Sequence, residues 1–193
     1  MRRGIVLLVG LLLLCAGVAS ASDGPWSVEL LGGAAFTTQD MGDANLGTGL
    51  GFEATVAYRV MQHLDVYGGW DWRHFMADES FAGSDVDIEE TGYALGVRFV
   101  HPVGTSTLSY IIRAGATYDH LEIENDDGDL VADSEHGLGW EGGVGLDIPL
   151  GEDWHVRPMA RYRSLSQDID IEDESMAVDL SYVTLEVGLS RSF

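Results

Sequence analysis

From Tyr182 to Phe193 the chain alternates: Val183, Leu185, Val187, Leu189 and Phe193 share one parity, while Thr184, Glu186, Gly188, Ser190 and Ser192 fill the other. A period of two marks a strand with one apolar face. The same period runs through Leu50, Phe52, Ala54, Val56, Tyr58 and Val60, and through Leu108, Tyr110, Ile112, Ala114, Ala116 and Tyr118. Eight such segments fall near residues 26–37, 48–60, 64–75, 90–101, 107–120, 136–148, 154–165 and 181–193. Each is long enough for a tilted strand to cross a bilayer, which takes about 9 to 11 residues. Short connections at 61–63, 102–106 and 149–153 alternate with long ones at 38–47, 76–89, 121–135 and 166–180. The pattern predicts an all-β fold, an eight-stranded antiparallel up-and-down transmembrane β-barrel with both chain ends on the short-turn side.

Aromatic residues sharpen that expectation. Trp26, Tyr58, Phe99, Tyr110, Trp154 and Phe193 collect near the short turns, and Phe36, Phe52, Trp72, Tyr93, Tyr118, Trp140 and Tyr162 toward the long loops. Two interfacial girdles are the expected result. The opposite face carries the positive charge. The chain contains no lysine, and Arg59, Arg73, Arg98, Arg113, Arg157, Arg161 and Arg163 all fall on the polar parity. An arginine facing lipid at the midplane costs about 2 to 4 kcal/mol, so these side chains are expected inside the barrel. Arg191 alone has the apolar parity, near the periplasmic end, where its head can snorkel to the headgroups. Glycines on the polar face, among them Gly51, Gly96, Gly115 and Gly143, leave room for long side chains in a narrow lumen. A soluble β-sandwich would also have one apolar face, but it needs neither girdles nor a glycine-rich polar face.

The amino terminus reads as an export leader. Arg2 and Arg3 precede an apolar run from Ile5 to Val18, and Ala19-Ser20-Ala21 supplies the small residues of a cleavage site. Residues 1–21 are therefore expected to be a signal peptide and 22–193 the barrel domain. The run is short for a retained anchor, which needs about 20 apolar residues. Cys15, the single cysteine, would leave with the leader.

The formal net charge is −22, concentrated in the expected long loops: Asp78, Glu79, Asp85, Asp87 and Glu89; Glu122, Glu124, Asp126, Asp127, Asp129, Asp133 and Glu135; Asp168, Asp170, Glu172, Asp173, Glu174 and Asp179. Such a surface repels nucleic acid and attracts divalent cations or basic extracellular partners. Asp126, Asp127 and Asp129 form a candidate cation-binding loop, without the ligand spacing of an EF-hand. His120 and His136, with Asp119 and Glu135, bracket the same hairpin but fall short of a closed zinc site. Within the lumen, Glu53, Asp71, Glu141 and Glu186 lie within reach of Arg113, Arg157 and Arg161, and a network of bidentate pairs is expected. It reads as a plug or, alternatively, as the gate of a narrow ion path. His74 and Ser80 near the outer rim make no recognisable nucleophile and base pair, so catalysis is not expected, nor any cofactor or metal.

The terminal Glu186-Val187-Gly188-Leu189-Ser190-Arg191-Ser192-Phe193 resembles the carboxy-terminal signal of the OmpA-like and opacity-type family of small outer-membrane barrels. Arg191 stands where that signal is usually apolar or aromatic. The resemblance implies that Glu186, Gly188 and Phe193 are recognised by the barrel-assembly machinery; a monomer in the outer membrane, surrounded by lipid and lipopolysaccharide, is expected. It also implies a structural or surface-interaction role, in envelope integrity or adhesion. A channel is the alternative, and a lipid A-modifying enzyme comes further behind. The peptidoglycan-binding domain of larger relatives is not expected after the barrel.

Overall fold

In a computed structural model, residues 24–38, 46–77, 86–125, 130–171 and 174–193 are described. Nine strand segments follow one another: β1 (Trp26–Thr37), β2 (Leu46–Met61), β3 (Leu64–Ala77), β4 (Val86–Pro102), β5 (Ser109–Asn125), β6 (Leu130–Ser134), β7 (Gly137–Pro149), β8 (Trp154–Ile171) and β9 (Glu174–Ser192). Every pairing is antiparallel, and β6 and β7 both lie between β5 and β8. They are two pieces of one staff, interrupted at Glu135 and His136, so the barrel has eight staves. It closes where β1 pairs with β9, from Ser27↔Ser192 to Thr37↔Tyr182. At the seam Phe193 N–H donates to the Trp26 carbonyl at 3.0 Å and Trp26 N–H to the Phe193 carbonyl at 3.3 Å.

Connections on one rim are tight. Met61↔Leu64 closes the β2–β3 hairpin. The β4–β5 turn needs Gly104, at φ 60°, a left-handed conformation that glycine adopts without steric cost. Val103 N–H donates to the Leu108 carbonyl there, and the Ser106 hydroxyl to the Val103 carbonyl at 2.8 Å.

On the other rim the strands outrun their apolar pattern. β5 continues to Asn125 and β6 pairs with it through Glu122↔Asp133, within the expected loop 121–135. β8 and β9 pair as far as Ile171↔Glu174, where a loop is expected over 166–180. The cause is physical. Above the membrane an outward side chain has no need to be apolar, so the period disappears while the ladder of a zipped hairpin still propagates. Residues 1–21 and the candidate loop Asp126, Asp127 and Asp129 lie outside the described residues.

The barrel is inverted relative to a soluble domain. Leu95, Val144, Leu185 and Val187 point outward at 65, 60, 55 and 60% exposure, while Arg73, Arg98, Arg113, Arg161 and Arg163 are at most 2% exposed. Aromatic contacts ring both ends: Trp26 with Tyr58 and Phe99 with Tyr110 at the short turns, Phe52 with Trp72 and Trp140 with Tyr162 at the opposite rim. Arg191, on the apolar face, lies 5.5 Å from the Trp154 ring.

Candidate functional site

The inward parity of each strand stacks side chains in layers along the lumen. A vestibule of about 310 Å³ opens at the short-turn end, lined by Arg59, Asp65, Asp147, His155 and Arg157 among others. Above it lies a first set of ion pairs. Arg98 donates to Glu29 at 2.6 Å, to Asp65 through Nε and Nη2 at 3.1 and 2.8 Å, and to the Ser27 hydroxyl at 3.2 Å. Arg157 joins the same Glu29 oxygen at 3.0 Å to Asp147 at 2.5 Å, and His155 Nδ1 meets the other Asp147 oxygen at 2.9 Å. Leu31, Ile111 and Met159, with Val100 against them, form an apolar layer next.

The second set is larger. Arg113 bonds Glu53 and donates to Glu141 at 2.8 Å. Arg161 bonds the other Glu53 oxygen, donates to Glu141 at 3.1 Å and grips Glu186 with two bonds of 2.6 and 2.7 Å. Arg163 forks onto Asp71 at 2.7 and 2.8 Å and also reaches Glu90 and Glu141. Arg73 donates to Asp71 at 2.6 Å and to Glu186 at 3.4 Å. Two phenols tie in: Tyr67 donates to Glu141 at 2.6 Å and Tyr182 to Glu90 at 2.7 Å. The planar guanidinium fork makes such shared, multidentate contacts possible where a lysine would offer a point charge. The Arg113 guanidinium also stacks 3.9 Å over the Tyr67 ring.

Glycine makes the space. A Cβ on Gly143 would sit 2.5 Å from Arg161 Cγ, and one on either Gly96 or Gly115 would sit 2.4 Å from the Tyr67 hydroxyl. Toward the long-loop rim the inward positions turn apolar again: Phe75, Ile88, Leu121, Ile123, Leu165 and Leu180 are all buried. The charged layer is thus bracketed by hydrocarbon.

Glu53, Asp71, Arg113, Glu141, Arg161 and Glu186 meet in the upper set. Arg157 belongs to the lower set, on the other side of the Leu31 layer. Glu29, Asp65, Arg73, Glu90, Arg98, Asp119, Asp147 and Arg163 complete the two sets; the sequence reading grouped Asp119 with the rim histidines and assigned no partners to the others. Their parity was the available signal. Gly188 also faces inward, where a Cβ would lie 2.8 Å from Glu29. Phe193 sits at the periplasmic seam.

The outer rim corrects one expectation. His120 and His136 do stack, with ring centroids 5.0 Å apart, but Asp119 is fully buried in the lumen and cannot join them, because neighbours on a strand face opposite sides. Glu122, two residues on, approaches His120 Nε2 at 3.3 Å instead. His74 Nε2 lies 3.4 Å from Asp87 and its ring stacks on Trp72; Ser80 is outside the described residues.

A family profile described as outer membrane protein beta-barrel domain matches residues 6–193. The chain belongs to this family. Solved structures with the same fold include Neisserial surface protein A, at 11% identity and a TM-score of 0.60, covering 87% of this chain and 96% of that one. The outer membrane protein OprG from Pseudomonas aeruginosa is 15% identical with a TM-score of 0.60, over 89% and 99% of the two chains. Outer membrane protein W of E. coli is 16% identical with a TM-score of 0.57, over 90% and 100%. No curated protein sequence matches significantly. The protein is an outer-membrane barrel, its short turns and the seam of Trp26 with Phe193 toward the periplasm.

Proposed function

We propose that this barrel has a structural and surface-interaction role: a plugged, monomeric staple of the outer membrane that presents acidic loops to the environment. The observation that carries the reading is the layered lumen. Ion pairs fully withdrawn from water lie between the Leu31, Ile111 and Met159 layer and the apolar layer around Phe75, Leu121 and Leu180. Eight strands enclose an interior that side chains can fill, and here they do so among the described residues. An ion entering from the periplasm would pass the lower ion pairs and then meet the Leu31 hydrocarbon layer before the upper set.

Purified protein in a planar bilayer tests this. No steady unitary current is expected. A steady current abolished by Glu53→Gln or Glu141→Gln would instead establish the alternative, a narrow channel gated by the same pairs. The surface role is tested on whole cells: neutralising the acids of the third and fourth loops should lower retention of cationic ligands while the amount of folded barrel stays constant. Assembly is a separate proposal, in which the machinery reads Glu186, Gly188 and Phe193 in the unfolded chain before Glu186 pairs with Arg161. Deleting Phe193 should then reduce the folded fraction in the membrane without changing the stability of barrel refolded in detergent.

A further inference from the structure

The upper charged layer is not balanced. Glu53, Asp71, Glu90, Asp119, Glu141 and Glu186 face only Arg73, Arg113, Arg161 and Arg163, all of them buried. The surplus is localised. Asp71, Glu90 and Asp119 bring one carboxylate oxygen each within 4.8 Å of one another. Asp71 is well served by Arg73 and Arg163, and one Glu90 oxygen accepts from Arg163 and Tyr182. The other oxygen, Glu90 Oε2, accepts no hydrogen bond, and Asp119 has no donor beside it but the Thr117 hydroxyl. The nearest cation to Asp119 is Arg163, at 3.8 Å.

A neutral oxygen lies beside the acids. Thr117, one inward step below Asp119 on β5, is 1% exposed, and its hydroxyl interacts with Asp119 and with no other polar group. A hydroxyl that donates to a carboxylate keeps lone pairs with which to bind a cation. Gly92 on β4, opposite Asp119 in the ladder, keeps the place open: a Cβ there would lie 1.8 Å from Asp119 Oδ1.

We infer that Asp71, Glu90, Asp119 and Thr117 form a site for a divalent cation of the calcium class, buried inside the barrel beneath the apolar outer layer. The donors are all oxygen, the set that hard cations take. Calcium binds oxygen at about 2.3 to 2.6 Å and tolerates irregular geometry, so ligands on opposite sides of the ion stand about 5 Å apart. The observed spread fits that span. Two positive charges also balance the two surplus carboxylates of the layer. Phe75, Ile88, Leu121 and Leu180 cover the approach from outside, so the ion enters while the barrel is closing. It is then retained as a structural ligand, distinct from any loosely held on the acidic loops.

The test is metal content after refolding. The full chain is refolded from urea into detergent micelles with calcium, washed through gel filtration at high salt to strip the loops, and assayed by elemental mass spectrometry. About one calcium per folded chain is expected. Asp119→Asn and Glu90→Gln should fall to background while heat-shifted gel migration shows them folded. Should neither fold, Thr117→Val, which leaves every charge in place, should weaken calcium retention. Refolding wild type with EDTA should lower its urea midpoint, with no such effect in Asp119→Asn. Wild type without stoichiometric calcium, or Asp119→Asn retaining as much as wild type, overturns the site. So does an Asp119→Asn barrel that is more stable than wild type whether or not calcium is present, because a shared proton would then serve the carboxylates.

Discussion

Glu53 is the most heavily shared group in the lumen: it takes bonds from Arg113, Arg161 and the Thr55 hydroxyl and has no exposure. Such a carboxylate contributes little net stability when paired, because its desolvation offsets the attraction, yet losing it takes a counter-charge from two buried guanidinium groups at once. Glu53→Gln should therefore destabilise the barrel by about 3 to 5 kcal/mol, read as a fall in the urea midpoint in detergent micelles. Tyr67→Phe removes one neutral donor to Glu141 and leaves Arg113 in place, so about 1 kcal/mol is expected. Gly115→Ala pushes a methyl group against the Tyr67 hydroxyl and the Leu95 carbonyl and should cost about 1 to 3 kcal/mol by overpacking. The order of the three, measured under one condition, separates unpaired charge from lost contact. At this scale the sequence was only half legible. Parity alone turns Arg113 and Arg161 inward, since the period of two fixes which face each residue takes. Which acid each one meets depends on the stagger of eight tilted staves. Glu186 reaches Arg161 across adjacent strands, but Arg163 and Asp71 come from opposite walls, a closeness that no local pattern encodes.

At the scale of the strand, β8 carries the heaviest load. Arg157, Arg161 and Arg163 line its inner face, and Pro158 interrupts its outer one. Proline has no N–H to give to a ladder, and the β7–β8 pairing runs from Gly139↔Leu165 to Gly145↔Met159, then resumes only at Ile148↔Val156. The gap falls beside a lipid-facing groove of about 530 Å³ that includes Leu146, Pro158, Gly32 and Val187. Backbone amides of Leu146 and Asp147 should thus exchange with solvent deuterium faster than those of Gly142 to Val144. Amide exchange by NMR in micelles measures this, and uniform protection through 142–148 would refute it. The pattern that located β8 also explains why its far end was misplaced. Outward apolar alternation stops at Tyr162, in the outer girdle, whereas backbone pairing with β9 carries on to Ile171↔Glu174. Hydropathy reports the solvent around a strand, and hydrogen bonding decides its length. The same distinction accounts for β6, whose Leu130–Ser134 segment pairs with β5 beyond the membrane-facing pattern.

For the whole molecule, the decisive arrangement is an apolar exterior wrapped around a charged interior, an order that water would not support. Tyr110 and Tyr118, on opposite girdles of β5, are separated by about 26 Å along the strand at about 3.3 Å per residue. Tilt reduces that to about 20 Å across the membrane, slightly less than the apolar band of about 25 Å typical of such barrels. Ile112, Ala114 and Ala116 stand between the two tyrosines, facing outward. Val144, paired with Ile112 on the neighbouring β7, and Leu185 on β9 also face outward. If hydrocarbon touches these positions, the cost of an arginine must follow depth rather than local packing. Ala114→Arg and Leu185→Arg should each destabilise the refolded barrel by about 2 to 4 kcal/mol in lipid vesicles, and Val60→Arg, beyond the periplasmic girdle, by about 0 to 1 kcal/mol. A protein core on this face predicts a different profile: every substitution would be severe, and Val60, at 46% exposure, would be mild only by accident of its position. Repeating the series in thinner bilayers separates the two cases. Lipid contact makes Tyr110→Arg and Tyr118→Arg less costly as the interfaces draw inward, whereas packing against protein would leave their costs unchanged.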